Sequence, residues 1–314
     1  MIKLKSFDNN IFRHKKSQTD ALYASTNDLL NMRRYVSFIR QGRRNTSSLD
    51  SGDIKSAFKG RGIEMEEIRE YQFGDDTRDI DWRVTARKST PYTKIYNVER
   101  NREMYVWLDL SPIMMFGSKI ELKAVTGAKV AALLGWIALA NKDKFGCVIF
   151  DGKKSWVFEP KHDSSYISSI CKKISQINHD SLDNLTDDNE ERLKSLRLLK
   201  KQAKKGNGVF IISSFLFWGE EYDGELAYLA KGNKMFLINI FDVLEKKPPI
   251  SGQYMASFGN EQIVFDTSSK NYRKNYINYF ENIHKSREDW CKKFGCQMID
   301  FSQQSSFING LKFI

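Results

Sequence analysis

The sequence predicts an α/β protein: a doubly wound, mainly parallel sheet with helices on both faces, preceded by a helical arm and a β-rich segment. Three observations carry that expectation. From residue 104 onward, short runs of β-forming apolar residues alternate with helical patterns of ten or more residues. The runs are apolar at successive positions, as strands are when helices cover both faces of their sheet. Polar residues follow three of these runs, Asp109 with Ser111, Asp151, and Ser213 with Ser214, which is where open parallel sheets place their sites.

Residues 26–41 read as an amphipathic helix, with Thr26 as N-cap, Leu29, Met32, Val36 and Ile39 at helical spacing, and Gly42 as the stop. The opposite face carries Arg33, Arg34 and Arg40, with Arg43 and Arg44 just beyond, and is expected to be solvated while the apolar stripe packs on the domain. Residues 45–103 are polar and punctuated by turn signals at Ser51-Gly52-Asp53, Gly60-Arg61-Gly62, Gly74-Asp75-Asp76 and Pro91, so short strands are expected, one of them over 92–98. Strands then fall at 104–110, 145–150, 208–213, 235–241 and 297–301, and helices at 119–142, 164–177, 190–204, 221–230 and 271–294. Three units result: a basic helical arm over 1–44, a β-rich segment over 45–103 and the α/β domain over 104–314.

A chain of 314 residues with 41% hydrophobic and 28% charged residues can bury a core and lies far from the composition of disordered or fibrous chains. The longest apolar stretch, residues 130–140, is about half of the ~20 residues a spanning helix needs, so it reads as a buried helix and no membrane span is expected. Residues 1–17 hold no apolar block of signal-peptide length, and Cys147, Cys171, Cys291 and Cys296 show no CxxC pair. Reduced thiols and a cytoplasmic location are the expectation. The net charge of +11 is concentrated at one end, because residues 1–44 hold ten Lys or Arg against three Asp. An arm of that kind suits a weakly held anionic partner.

The chain has neither a GxxxxGK[ST] nor a GxGxxG segment opening a helix, so nucleotide hydrolysis by this chain is not expected, and no cofactor is implied. His14, His162, His179 and His284 lack metal-ligand or triad spacing. Asp109 and Ser111 alternate on the loop after the first domain strand and could together offer hard oxygen ligands, although Ile113, at the next alternate position, has none. The densest polar cluster holds Asp75, Asp76, Asp79 and Asp81. Four such carboxylates could serve a metal-dependent hydrolase or nuclease, but Arg78, Arg83 and Arg87 are interleaved with them, and an ion-pair network anchored by Trp82 is the expected role.

At this cluster the chain resembles a known family. Ser51-Gly52, Ser56-Ala57-Phe58-Lys59-Gly60-Arg61-Gly62, Arg69-Glu70-Tyr71, Gly74-Asp75-Asp76, Arg78-Asp79-Ile80-Asp81-Trp82 and Ala86-Arg87 look like the signature of the "domain of unknown function 58" family. Asp109-Leu110-Ser111, residues 213–216, and Asp242-Val243-Leu244-Glu245 with Pro248 and Gly252 resemble its next landmarks. The resemblance implies a von Willebrand factor A-like α/β domain in bacterial proteins associated with MoxR-type AAA+ ATPases, thought to assemble, remodel or metal-load other proteins. Metal-binding domains of that type use an Asp-x-Ser-x-Ser loop, a Thr from a second loop and an Asp from a third. Asp109 and Ser111 match, Ile113 replaces the second serine, and Ser214 stands where the third-loop aspartate is expected, which leaves a degenerate site at which Mg²⁺ is not expected to bind. The expectation is therefore a non-enzymatic adaptor that docks a MoxR-type ATPase through the surface around Asp109, Ser111, Ile113 and Ser214, with its client unidentified.

Overall fold

A computed structural model describes residues 19–37, 65–72, 75–88, 90–96, 102–182, 186–258 and 261–302. In chain order the elements are α1 (Thr19–Leu22), α2 (Thr26–Asn31) with a further helical stretch over 33–37, β1 (Met65–Glu70), α3 (Trp82–Lys88), β2 (Tyr92–Tyr96), β3 (Glu103–Asp109), α4 (Lys123–Ala140), β4 (Lys144–Phe150), β5 (Ser155–Lys161), α5 (Ser164–Asp180), α6 (Asn189–Gln202), β6 (Gly208–Ser213), α7 (Glu220–Gly232), β7 (Lys234–Phe241), α8 (Val243–Lys246), β8 (Gln253–Phe258), β9 (Glu261–Asp266), α9 (Lys270–Phe294) and β10 (Gln297–Ser302).

Six strands form the central sheet in the order β10-β7-β6-β3-β4-β5. All neighbours are parallel except β5, which runs antiparallel to β4 at the edge. The order reverses between β3 and β6, so the crevice at their carboxyl ends is the topological switch point of the fold. Alternate residues of β3 serve opposite faces. Met104, Val106 and Leu108 join the core built with α4 and α5, and Tyr105 and Trp107 join the core of the other face, which includes Leu196 and Leu199 of α6 and Leu226 and Leu229 of α7. Two buried layers explain why these strands read as unbroken apolar runs.

α4 is long and apolar enough to cross a membrane by length and composition, but it is the core helix of the domain, buried over most of its length. The arm belongs to the same core. Leu29, Met32 and Val36 are buried in the layer formed with α4 and α5, the Trp136 indole donates to the Leu29 carbonyl at 3.2 Å, and the Ala24 amide donates to Asn178 Oδ1 at 2.7 Å. The cap of α2 is Ser25 rather than Thr26, its hydroxyl accepting from the Asp28 amide, and regular helix is interrupted at Met32. Arg34 is exposed and Arg33 lies over the Trp136 ring at 5.7 Å; Arg40, Arg43 and Arg44 lie outside the described residues.

The β-rich segment contains the antiparallel pair β1–β2, but α3 takes the place of a further strand after the acidic turn. Trp82, expected to anchor that turn in the domain, is 68% exposed at the start of α3. The anchor role is thus corrected: the turn is held by its own capping bonds and the indole faces solvent.

Candidate functional site

The strand ends at the switch point are knitted together by buried polar groups. Asp109, the last residue of β3, is fully buried; its Oδ1 accepts the Ser111 amide at 2.9 Å and its Oδ2 accepts the Ser213 hydroxyl, from the end of β6, at 2.6 Å. The Ser213 oxygen in turn accepts the Phe215 amide at 3.2 Å. Ser213, not Ser214, is therefore the β6 partner of Asp109. The Ser214 hydroxyl is buried without a hydrogen-bond partner among the described residues, and Phe215, next to it, adopts a left-handed backbone with φ 53°.

A buried cation not expected from the sequence lies beside Ser111. Arg192, on the first turns of α6, is fully buried. Its guanidinium donates to the Ser111 hydroxyl at 3.3 Å, to Asn189 Oδ1 at 2.5 Å and to the Asp187 carboxylate, and lies between the rings of Phe150 and Phe217 at 5.2 and 4.6 Å. Burial pushes the Asp187 carboxyl above its usual range, an effect that the Arg192 charge opposes and that of Asp109 reinforces. The loop carrying Thr186 and Asp187 is fixed against the loop after β4: the Asp188 amide donates to the Gly152 carbonyl at 2.8 Å. Gly152 has φ 98°, and a Cβ there would meet the Thr186 carbonyl and, at 2.8 Å, Pro112 Cδ. Only glycine lets these three loops approach so closely.

Two further cations, Lys123 buried and Arg287 half-buried, hold the neighbouring loops. Arg287 of α9 donates to the carbonyls of Ser214 and Phe215, and burial pushes its pKa down to about 10. Lys123 of α4, buried beneath the loop after β3, pairs with Glu245 at 2.5 Å. Glu245 also closes a capping box with Asp242, and both Asp242 oxygens bind Ser118. Asp151 serves its own turn by accepting the amides of Lys153 and Lys154.

Asp109, Ser111 and Ser214 thus lie beneath the surface, with Ile113 half-buried. They fix the loops, and outward-facing apolar groups on those loops are Phe116, Ile120 and Leu216. The acidic cluster is likewise occupied locally. Asp75 accepts from Arg69 at 2.7 Å and from the Gln72 amide, both bonds holding its carboxyl below the usual range, while Asp76 caps the turn at Arg78 and Asp81 accepts the amides of Arg83 and Val84. Arg78 lies 3.8 Å from Asp76, and both are exposed. Arg83 and Arg87 are exposed on α3, and the Asp79 side chain lies outside the described residues. No group of three or more His, Cys, Asp or Glu among the described residues is arranged to hold a metal ion.

The fold and site define a doubly wound α/β domain whose strand-end loops are tied together by a buried cation, Arg192. The chain belongs to the family described as "Protein of unknown function DUF58", whose model matches residues 67–286. The uncharacterized proteins Rv1480 of Mycobacterium tuberculosis and Mb1516 of Mycobacterium bovis are each 32% identical over 101 residues, a match spanning about a third of this chain and of theirs (32% of each). Among solved structures, the protein BatB of Bacteroides thetaiotaomicron aligns at 14% identity over 67% of this chain and 95% of its own (TM-score 0.42), and an aerotolerance-related membrane protein of Bacteroides fragilis at 12% over 67% and 96% (TM-score 0.41). The SpRpn10 VWA domain aligns at 12% identity over 68% and 94% (TM-score 0.34). The fold is defined by the strand order itself and not by these scores.

Proposed function

We propose that this chain is a non-enzymatic adaptor that docks a MoxR-type AAA+ ATPase and works with it in the assembly, remodelling or metal loading of another protein in the cytoplasm. The observation that carries the non-catalytic part of this reading is the Arg192 guanidinium. It lies among Ser111, Asp187 and Asn189, next to the loop that Asp109 secures, and pairs with the Asp187 carboxylate, so a fixed positive charge already stands beside the loop oxygens that a divalent ion would need. The site's loops are tied to one another by buried hydrogen bonds, and loops held in this way with exposed apolar tips favour association because little ordering is left to be lost on binding.

The MoxR part rests on the family signature, and calorimetry with the purified ATPase, with and without ATP, tests it. Micromolar association is expected, unaffected by millimolar Mg²⁺ beyond what ATP itself requires. No association in either nucleotide state would remove the partnership. Substituting Asp76 and Asp81 by asparagine is expected to disturb the turn without abolishing any turnover, whereas hydrolysis lost in these variants would restore the hydrolase reading.

A further inference from the structure

The connection from β7 to α9 carries an insertion, the β8–β9 hairpin, which forms a two-stranded sheet of its own at the carboxyl end of the central sheet. An isolated hairpin is marginal in water, yet this one is firmly held. Thr267, fully buried, donates its hydroxyl to the Ile250 and Gly252 carbonyls and accepts the Gly252 amide; Arg273 donates to the Pro249 carbonyl at 2.7 Å, and Tyr276 to the Leu244 carbonyl at 2.6 Å. The inner face stacks Tyr254 on Phe265 and Phe265 on Tyr272 of α9.

The outer face is different. Met255 and Val264 are cross-strand partners and are 66% and 69% exposed, and Ile250 at the base is 83% exposed. Exposed lysines flank this group in the chain: Lys247 precedes the hairpin, and Lys270 and Lys274 follow it on α9, whereas Asp266 is an exposed carboxylate among the described side chains between them; Lys246 is already paired with Asp300 at 3.2 Å. A fixed apolar pair framed by positive charge fits a partner of complementary pattern. A second copy of this chain would bring lysines against lysines.

We infer that the outer face of the β8–β9 hairpin, centred on Met255, Val264 and Ile250, docks an acidic segment of a protein partner that places apolar side chains between its carboxylates. This rests on the adaptor reading and adds the surface and the chemistry of its partner. The test is zero-length carbodiimide coupling in cells expressing the tagged full chain, with each coupled protein identified, purified and re-bound in vitro. One partner is expected to be joined through its Asp or Glu to Lys247, Lys270 or Lys274. Its affinity should fall about ten-fold or more with M255D/V264D. Both positions are exposed, so an unchanged melting temperature will show that the variant folds. K247E/K270E/K274E should weaken the same binding and make it less salt-sensitive.

Absence of coupling at these lysines, coupling unaffected by M255D/V264D, self-coupling alone, or equal loss of binding to phosphatidylglycerol vesicles would each overturn the inference. If the coupled protein is not an AAA+ ATPase, the docking surface stands and the MoxR partnership is decided by the calorimetry alone. If the ATPase binds wild type and M255D/V264D alike, the MoxR partnership stands and the docking surface falls.

Discussion

The Arg192 guanidinium donates to the Ser111 hydroxyl at 3.3 Å across 81 residues of chain, tying the first turns of α6 to the loop after β3. Because the same group pairs with Asp187, one buried cation holds two of the strand-end loops. Arg192→Met should cost about 3–5 kcal/mol, since it leaves the half-buried Asp187 carboxylate without its partner. Adding Asp187→Asn to it should cost less than the sum of the single changes, by about 0.5–3 kcal/mol. Urea unfolding of the four proteins gives both figures, and strict additivity would mean that the pair does not interact.

Asp109 and Ser213 link the two strands at the switch point. Ser213→Ala leaves Asp109 with the Ser111 amide and should cost about 1–2 kcal/mol, whereas Asp109→Ala strands both a hydroxyl and an amide and should cost about 2–4 kcal/mol. Chemical denaturation measures both. Ser213→Ala also removes the acceptor of the Phe215 amide, so a serine change that costs as much as the aspartate change would mean that this second bond, not the link to Asp109, dominates.

Much of this architecture is legible in the sequence, and the parts that are not share a cause. The span of β6 and the alternation from β3 onward follow from local pattern, because a strand covered on both faces must be apolar throughout. The β8–β9 hairpin has a readable mark, Gly259-Asn260 between β-forming runs, a turn signal weaker than the helical periodicity that follows it. Arg192 left a subtler one: it shares a helical stripe with Leu196 and Leu199, so a charged residue occupies a core-facing position. Which groups compensate its burial depends on Ser111 and Phe150, far away in sequence, and no spacing rule supplies that. Trp82 shows the converse error, since an apolar residue need not be an internal one.

Gly152 is where the loops after β3, after β4 and before α6 meet. Gly152→Ala would force a left-handed backbone on a residue with a side chain and push its Cβ against Pro112 and the Thr186 carbonyl. The expected cost is about 1–3 kcal/mol or more from the backbone alone. Hydrogen exchange should show the loss locally, with the Asp188 amide, which donates to Gly152, exchanging faster in the variant. Unchanged protection at Asp188 would mean that the loops part without consequence.

A pH-dependent term comes from Asp143, between α4 and β4. Burial pushes its carboxyl up to about 6, against the opposing pull of the Arg102 and His162 charges. A carboxyl whose folded pKa exceeds its unfolded value favours the folded state fully only below the unfolded value, near 4. That contribution is lost as the pH rises through about 6, because burying the ionised form is unfavourable. With screening of this partly exposed group, the loss between pH 4 and 7 should be about 1–2 kcal/mol. Asp143→Asn removes the ionisation, so its stability relative to wild type should rise by that amount over the same interval and level off above it. Paired denaturation series at pH 4, 5, 6, 7 and 8 measure the difference directly. A difference that stays flat, or that falls as the pH rises, would show that His162 and Arg102 already compensate the charge.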